Sequence, residues 1–117
     1  MLAKEYRLSK DVDFQKVYKK GIILFSLFFN VKYLENNLQN SRFGIVVSTK
    51  ISKKAVIRNK NKRIIRNIIY ENLTNISRCF DVIILAKPAI TTVNKEKLNQ
   101  SFIFMLKKAN IYHKMQQ

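Results

Sequence analysis

The segment from Lys54 to about Asn72 constrains the fold more than any other, because its apolar and basic residues recur with the period of an α-helix. When each residue is placed about 100° further round a helix axis, the segment separates into an apolar face and a basic face. A helix with one apolar face packs that face against another element, which predicts a layered domain. The apolar face is formed by Ile57, Ile64, Ile65, Ile68 and Ile69. The basic face is formed by Arg58, Lys62 and Arg66 at four-residue spacing, with Asn59 and Arg63 beside them and Lys60 further round.

Apolar periodicity also predicts the elements around this helix. An earlier helix has Ser9 as its N-cap and ends at Gly21, and the polar loop between the first two strands has a length that suggests an antiparallel hairpin. The order of elements, αββαβα, predicts a single α+β sandwich whose helices pack on one small central sheet. The predicted bounds are Lys10–Tyr18 for the first helix, Leu27–Leu34, Phe43–Ser48 and Val82–Ala86 for the three strands, and Lys95–Ala109 for the last helix.

Positive charge dominates the chain. Lys and Arg number 23 against 7 Asp and Glu, which gives a net charge of +16. A compact domain with this excess repels itself, and such a charge normally exists because a polyanion neutralises it. With 117 residues the chain is long enough for one domain, which we expect to span residues 1–117, with a flexible polar tail over residues 110–117.

The positive charge is concentrated in one stretch, because no acidic residue lies between Glu35 and Glu71. A solvated helix face usually mixes charges through Glu–Lys pairs, so a stretch of one sign favours contact with nucleic acid. An anionic membrane is the alternative, but the longest apolar stretch, Ile22–Phe29, is far shorter than the roughly 20 residues of a membrane span. The basic residues of this stretch are Arg42, Lys50, Lys53, Lys54, Arg58, Lys60, Lys62, Arg63 and Arg66.

Two features of the sequence bear on the compartment. The first twenty residues are mixed and charged, and they lack the apolar run and small-residue cleavage site of a signal peptide. The single cysteine, Cys79, permits no internal disulfide, which fits a reducing compartment, and we expect it to be a buried thiol. Together these features predict a cytoplasmic protein.

Four ordered motifs resemble the bacterial ribonuclease P protein family. The segment from Lys50 to Arg66 reads KISKKAVIRNKNKRIIR and resembles the family's signature, a Lys/Arg–Ala-Val–x–Arg-Asn-Arg–x–Lys-Arg–x–x–Arg run on a helix. The other three motifs are the opening Leu8…Asp13-Phe14…Val17-Tyr18…Gly21, the strand Gly44-Ile45-Val46-Val47-Ser48, and the strand Asp81-Val82-Ile83-Ile84-Leu85-Ala86-Lys87-Pro88. Because the resemblance covers nearly the whole chain, it is more specific than a Lys/Arg run alone.

The resemblance implies a single RNA-binding domain that acts as a subunit of an endoribonuclease. The implied partners are a catalytic RNA subunit and precursor tRNA, whose 5′ leader the holoenzyme removes; neither a membrane nor a small-molecule substrate is implied. The implied fold is ribosomal-protein-S5-domain-2-like, with a left-handed crossover where the basic helix connects two parallel strands. Mg²⁺ is expected in the RNA subunit and none is assigned to the protein, while a role of Asn59 in holding a metal ion at the RNA interface stays open.

Residue roles carried over from the family fall into two groups. The family's basic helix is expected to contact the RNA subunit, and a cleft beside the sheet is expected to hold the leader. The implied RNA-binding residues are Lys50, Lys53, Lys54, Arg58, Asn59, Lys60, Lys62, Arg63 and Arg66. The implied residues of the leader cleft are Phe14, Tyr18, Lys32 and Ser48.

Three positions depart from the family pattern. Lys60 replaces an Arg, which keeps the charge but loses the planar guanidinium that binds phosphate through two hydrogen bonds. Asn61 lies in the isoleucine arc, where burial costs stability unless its amide finds partners. Lys32 stands where an aromatic residue often lines the leader cleft, so charge replaces stacking there.

The sequence offers no evident catalytic set of its own. The seven acidic residues are spread along the chain and the only histidine is His113, so we expect no catalytic or metal-binding residue and no cleavage by the protein alone. Two other functions remain open: a basic ribosomal or other structural RNA-binding protein, and a DNA-binding protein or independent nuclease. Phe14 and Tyr18, four residues apart, also have the spacing of ordinary core residues.

Overall fold

The computed structural model describes residues 2–113 and confirms the α+β class. Three helices surround a four-stranded sheet, and three short 3₁₀ helices lie at Lys4–Tyr6, Leu73–Asn75 and Pro88–Thr91. The main elements in chain order are α1 (Asp11–Lys20), β1 (Ile22–Leu24), β2 (Phe29–Glu35), β3 (Arg42–Val46), α2 (Ala55–Asn72), β4 (Phe80–Ala86) and α3 (Lys95–Lys108).

The sheet has the order β1-β2-β4-β3, so the predicted hairpin between β2 and β3 is wrong. Strand β4 lies between them, antiparallel to β2 from Phe29↔Ala86 to Glu35↔Phe80 and parallel to β3. The physical reason is apolar burial, because three consecutive residues of β4, Val82, Ile83 and Ile84, are almost fully buried and this strand therefore takes the centre. The polar loop between β2 and β3 therefore passes across the end of β4 and does not form a hairpin turn.

Two local expectations at the start of the chain are also corrected. The N-cap of α1 is Lys10 instead of Ser9, and its side chain makes no capping hydrogen bond. The chain before α1 is held extended by the hydrogen bond from the Leu8 N–H to the Phe43 carbonyl, which delays the start of the helix. Strand β1 was not predicted, because its three residues are all apolar and show no alternation in the sequence. In the structure it pairs with β2, and Ile22 and Ile23 are both exposed.

The two faces of the sheet are covered by different helices. The main core lies between one face and helices α2 and α3, and it contains Ile65, Ile68 and Ile69 of the predicted isoleucine arc. A smaller cluster of Leu8, Val17 and Ile83 lies on the opposite face, under α1. The basic helix and the first helix are therefore on opposite sides of the sheet.

The connection from β3 through α2 to β4 joins parallel neighbours, as expected for this helix. Its left-handedness stays a prediction from the family resemblance. None of the helices in residues 2–113 is long and apolar enough to span a membrane.

The end of the described chain is packed. Ile111 is fully buried, and the His113 N–H donates to the Asn75 carbonyl at 2.7 Å. Residues 110–113 of the expected polar tail are thus attached to the domain, and residues 114–117 lie outside the described residues. Cys79, expected to be buried, is partly exposed and has a positive φ of 74° in the bend just before β4.

Candidate RNA interface

Helix α2 presents its basic residues to solvent, as its periodicity predicts. Asn59, Lys60, Arg63 and Arg66 are exposed, whereas Arg58 and Lys62 are half-buried at the edge of the basic face. The first turn contains no acidic residue, and the N-cap, Lys54, makes no side-chain cap. The positive end of the helix dipole is therefore uncompensated beside a cluster of cations, an arrangement that attracts phosphate.

The loop between β3 and α2 presents the remaining basic residues. Lys50, Lys53 and Lys54 are all exposed. Serine side chains shape this loop, because the Ser48 Oγ accepts from the Lys50 N–H at 3.3 Å and the Ser52 Oγ accepts from the Lys54 N–H at 3.2 Å. The sequence therefore places these lysines beside the start of α2.

Arg58 also has a structural role at the start of α2. Its Nη1 donates to the Ser52 carbonyl at 2.9 Å, which links the helix to the loop. One part of the guanidinium thus holds the loop, and the charge stays at the surface of the basic face.

Arg42 is the member of the acid-free stretch that does not serve this face. Its guanidinium binds the Asp81 carboxylate through two hydrogen bonds of 2.9 Å and 2.7 Å, and it reaches Asp13 at 3.2 Å. The hydrogen bond with Asp81 raises the pKa of Arg42 above its ordinary value, so it stays charged. The other eight basic residues form no salt bridge within residues 2–113.

Asn61 is buried within the isoleucine arc, at 7% exposure. Its amide Nδ2 donates to the Ile57 carbonyl one turn earlier at 3.0 Å. The amide therefore finds a partner inside its own helix, which offsets part of the cost of burying it.

The proposed leader cleft lies on the opposite face of the sheet, where Phe14 and Tyr18 project from α1. Their ring centroids are 6.3 Å apart, and both rings are half-buried against the small cluster under α1. A Cβ added at Gly44 would meet the Phe14 ring at 2.5 Å, so only glycine leaves room for Phe14 on β3. Both the core and the binding interpretations of these aromatic residues fit this half-burial.

Lys32 lies beside Tyr18 on the same face. Its Nζ donates to the Tyr18 carbonyl and is 5.7 Å from the centroid of the Tyr18 ring. Burial raises the pKa of the Tyr18 hydroxyl, and the negative charge of Asp11 raises it further, so Tyr18 stays neutral. Lys32 thus adds a cation next to the aromatic pair, while Ser48 is exposed beyond the end of β3.

One cavity is lined by residues from both predicted sites, the leader cleft and the RNA-binding helix. It has a volume of about 230 Å³ and lies beside the edge strand β3, with both Phe14 and Arg66 in its wall. Arg7 and Ser9 also line it, and the sequence reasoning missed both. Arg7 lies outside the acid-free stretch between Glu35 and Glu71, so the charge pattern does not point to it. It reaches this edge of the sheet only through its β-bridge with Phe43.

The acidic residues do not gather as a metal site. Within residues 2–113 there is no group of three or more His, Cys, Asp or Glu side chains that could hold a metal ion. Asp13 and Asp81 approach the same place, but both face Arg42. Both carboxylates are thus paired with a guanidinium.

An α+β domain with an exposed helix of uncompensated basic residues and a separate half-buried aromatic pair belongs to the class of nucleic-acid-binding proteins. A family model for Ribonuclease P matches residues 2–110 of the chain. The chain therefore belongs to the ribonuclease P protein family.

Individual relatives support the same assignment. The ribonuclease P protein component of Syntrophomonas wolfei is 33% identical over 112 residues, which cover 96% of this chain and 93% of the relative. The corresponding protein of Microcystis aeruginosa is 38% identical, with 92% and 93% of the two chains covered. Among solved structures, the Staphylococcus aureus RNase P protein superposes with a TM-score of 0.83 at 33% identity, covering 92% of this chain and 98% of that one. The RNase P protein of Thermotoga maritima gives 0.80 at 31% identity, covering 87% and 96%.

Proposed function

We propose that this chain is the protein subunit of ribonuclease P and promotes endonucleolytic removal of the 5′ leader from precursor tRNA. It acts as part of a ribonucleoprotein with a catalytic RNA. The observation that carries the proposal is the exposed basic face of α2 in a chain that belongs to this family. The molecule has two RNA contacts, and each has its own surface.

The first contact is between the RNA subunit and the basic surface, defined as Lys50, Lys53, Lys54, Arg58, Asn59, Lys60, Lys62, Arg63 and Arg66. Its charges come from one loop and one helix and form no salt bridge with a carboxylate in the described part of the chain, so phosphates are their natural counterions. Most of these donors are ionic, and ionic donors bind the RNA backbone without reading its sequence. Affinity for RNA is therefore dominated by phosphate neutralisation.

The second contact is between the leader and the cleft side of the sheet, defined by Phe14, Tyr18, Lys32 and Ser48. The half-buried rings can stack on unpaired bases, at about 1–3 kcal/mol for each base. The Lys32 ammonium beside Tyr18 supplies a charge for the leader backbone. Mature tRNA has no leader, so this contact favours the precursor.

The chemistry belongs to the RNA subunit. Hydrolysis of a phosphodiester by metal ions needs oxygen ligands that converge on the ions, and the described residues of this chain do not supply them. The proposed Mg²⁺ ions are therefore held by RNA, and no protein residue is assigned a catalytic role. The protein holds substrate and RNA subunit together and reduces their electrostatic repulsion.

The proposed location is the cytoplasm. The charge of +16 and the single cysteine support it, since RNA is the expected counterion and Cys79 has no partner for an internal disulfide.

The proposed function is tested by identifying the RNA that the protein binds in its own cells. The tagged protein is recovered from its own cells after brief crosslinking, and the bound RNA is sequenced beside that of the Arg58→Ala/Lys62→Ala/Arg66→Ala variant. We expect one structured RNA that cleaves precursor tRNA in Mg²⁺, enriched with the unaltered protein and depleted with the variant. Recovery of ribosomal RNA in its place would favour the structural RNA-binding alternative.

A further inference from the structure

A polar network ties the first turn of α1 to the edge of the sheet. Asp81 is buried at 4% exposure, and its carboxylate accepts two hydrogen bonds from Arg42 and one from the Asn36 amide at 2.8 Å. Since Arg42 and Asp81 are register partners on β3 and β4, the guanidinium is held in one orientation. Its remaining arm, Nη1, reaches the Asp13 carboxylate at 3.2 Å.

The same turn of α1 carries Phe14, which packs over Gly44. Gly44 lies two residues after Arg42 on β3, so the two residues share a face of the strand. The ion pair and the aromatic contact are therefore adjacent, and each involves one of two consecutive residues of α1. A shift of Asp13 away from Arg42 would move the Phe14 ring over the sheet.

Helix α1 is held to the sheet by polar side-chain contacts at its two ends. Within residues 2–113 these are the Asp13–Arg42 pair in the first turn and the hydrogen bond from Lys32 to the Tyr18 carbonyl near the end. Phe14 directly follows the first contact, and Tyr18 itself provides the carbonyl of the second. The apolar cluster under α1 is small, and Val17 is the one buried residue that the helix contributes to it, so apolar packing alone fixes the helix weakly.

We propose that Arg42, oriented by Asp81, is a positioning residue that sets the placement of Phe14 in the leader cleft through its ion pair with Asp13. This inference rests on the proposed function, because it concerns how the cleft recognises the leader. Arg42 itself is not assigned a contact with RNA. Its charge is already neutralised by two carboxylates, unlike the charges of the basic surface.

The test uses Asp13→Asn, with Asp11→Asn as the matched control. Both changes remove one negative charge from the first turn of the same helix, so both strengthen general attraction to RNA equally. Of these two aspartates, only Asp13 forms a salt bridge within residues 2–113, so the difference between the variants isolates the contact with Arg42. Asp81→Asn is avoided, because it would leave Arg42 without its buried partner.

The measurement is the ratio of affinities for precursor and mature tRNA, each determined with the reconstituted holoenzyme. We expect Asp13→Asn to lower this ratio about threefold relative to Asp11→Asn, the scale of one partly exposed ion pair. Asp13→Glu, which restores the carboxylate, should recover most of the ratio, and affinity for the RNA subunit should match between the two Asn variants. Thermal unfolding of all three variants should stay close to that of the unaltered protein.

Each result has a separate meaning. Equal ratios for Asp13→Asn and Asp11→Asn would overturn the positioning role of Arg42. The positioning role would also be overturned if Asp13→Asn lowers the ratio, Asp13→Glu does not restore it, and both Asp13 variants lose thermal stability. The lower ratio would then result from general unfolding. If the unaltered protein itself shows no preference for precursor tRNA, the failure belongs to the proposed leader contact.

Discussion

Replacing Lys62 or Arg66 with alanine removes one positive charge from the exposed face of α2. Neither side chain forms a salt bridge in the part of the chain that the structure describes, so each loses a phosphate contact and little else. Each phosphate contact adds about 0.9 to the slope of log affinity against log salt. The ratio of the unaltered protein's affinity for RNA to that of each variant should therefore fall about threefold to fourfold as salt rises from about 50 to 200 mM.

Arg58→Ala should behave differently from these two variants. Its guanidinium also donates to the Ser52 carbonyl, so its removal frees the loop that presents Lys50 and Lys53. We expect the same loss of about one unit of slope, together with a further weakening of binding that salt does not change.

The assay is filter binding of the RNA subunit across a salt series, with thermal unfolding measured for each variant. Lys108→Ala is the control, because it removes one exposed charge from α3, outside the basic surface. Arg66→Lys should keep the slope while losing some affinity, since it retains charge without the planar fork. Unchanged slopes in all three alanine variants, or an equal change in Lys108→Ala, would refute the assignment of this face.

Two further predictions concern the cleft side of the sheet. Phe14→Ala and Tyr18→Ala should each weaken binding of precursor tRNA more than binding of mature tRNA, because each removes a surface on which a leader base can stack. A large loss of thermal stability without that difference would show that the rings are only core residues. Gly44→Ala should destabilise the domain by about 1–3 kcal/mol in denaturant unfolding, since the added Cβ would clash with the Phe14 ring. The loss should nearly vanish when Phe14→Ala is also present, and an equal loss with and without Phe14→Ala would contradict that contact.

Local periodicity was enough to find the long elements. Helix α2 was expected from Lys54 and begins at Ala55, because its apolar and basic residues repeat with one period over five turns. The position of the basic face followed from this one helix, and the class of fold followed from the order of helices and strands around it. Strand β1 was missed because three residues with two exposed isoleucines carry no such period.

The pairing of strands and the partners of charged residues depended on distant parts of the chain. The β2–β3 hairpin was a local interpretation, whereas the apolar β4, which lies more than thirty residues later, separates the two strands. Arg42 belonged to the basic stretch by sequence, yet it pairs with Asp81 and Asp13, which lie far from it in the chain. Such contacts are set by tertiary packing and leave no mark in the residues next to Arg42.

The roles of Phe14 and Tyr18 came from the family resemblance and not from their spacing. Half-burial of both rings fits either a core or a binding role, so the precursor preference described above remains the deciding observation. Arg7 and Ser9, which line the cavity between Phe14 and Arg66, could be placed there only from the structure.

Single-turnover cleavage of precursor tRNA shows whether the protein assists a catalytic RNA or cleaves on its own. The rate is measured with RNA subunit alone, protein alone and the mixture, across a Mg²⁺ series at near-physiological salt. We expect no cleavage by protein alone, and an advantage of the mixture that is largest at low Mg²⁺, where the protein's +16 charge replaces counterions that the two RNAs otherwise need. That advantage should shrink as Mg²⁺ rises. Cleavage by protein alone that survives removal of contaminating RNA, or equal rates with and without protein at low Mg²⁺, would contradict these expectations.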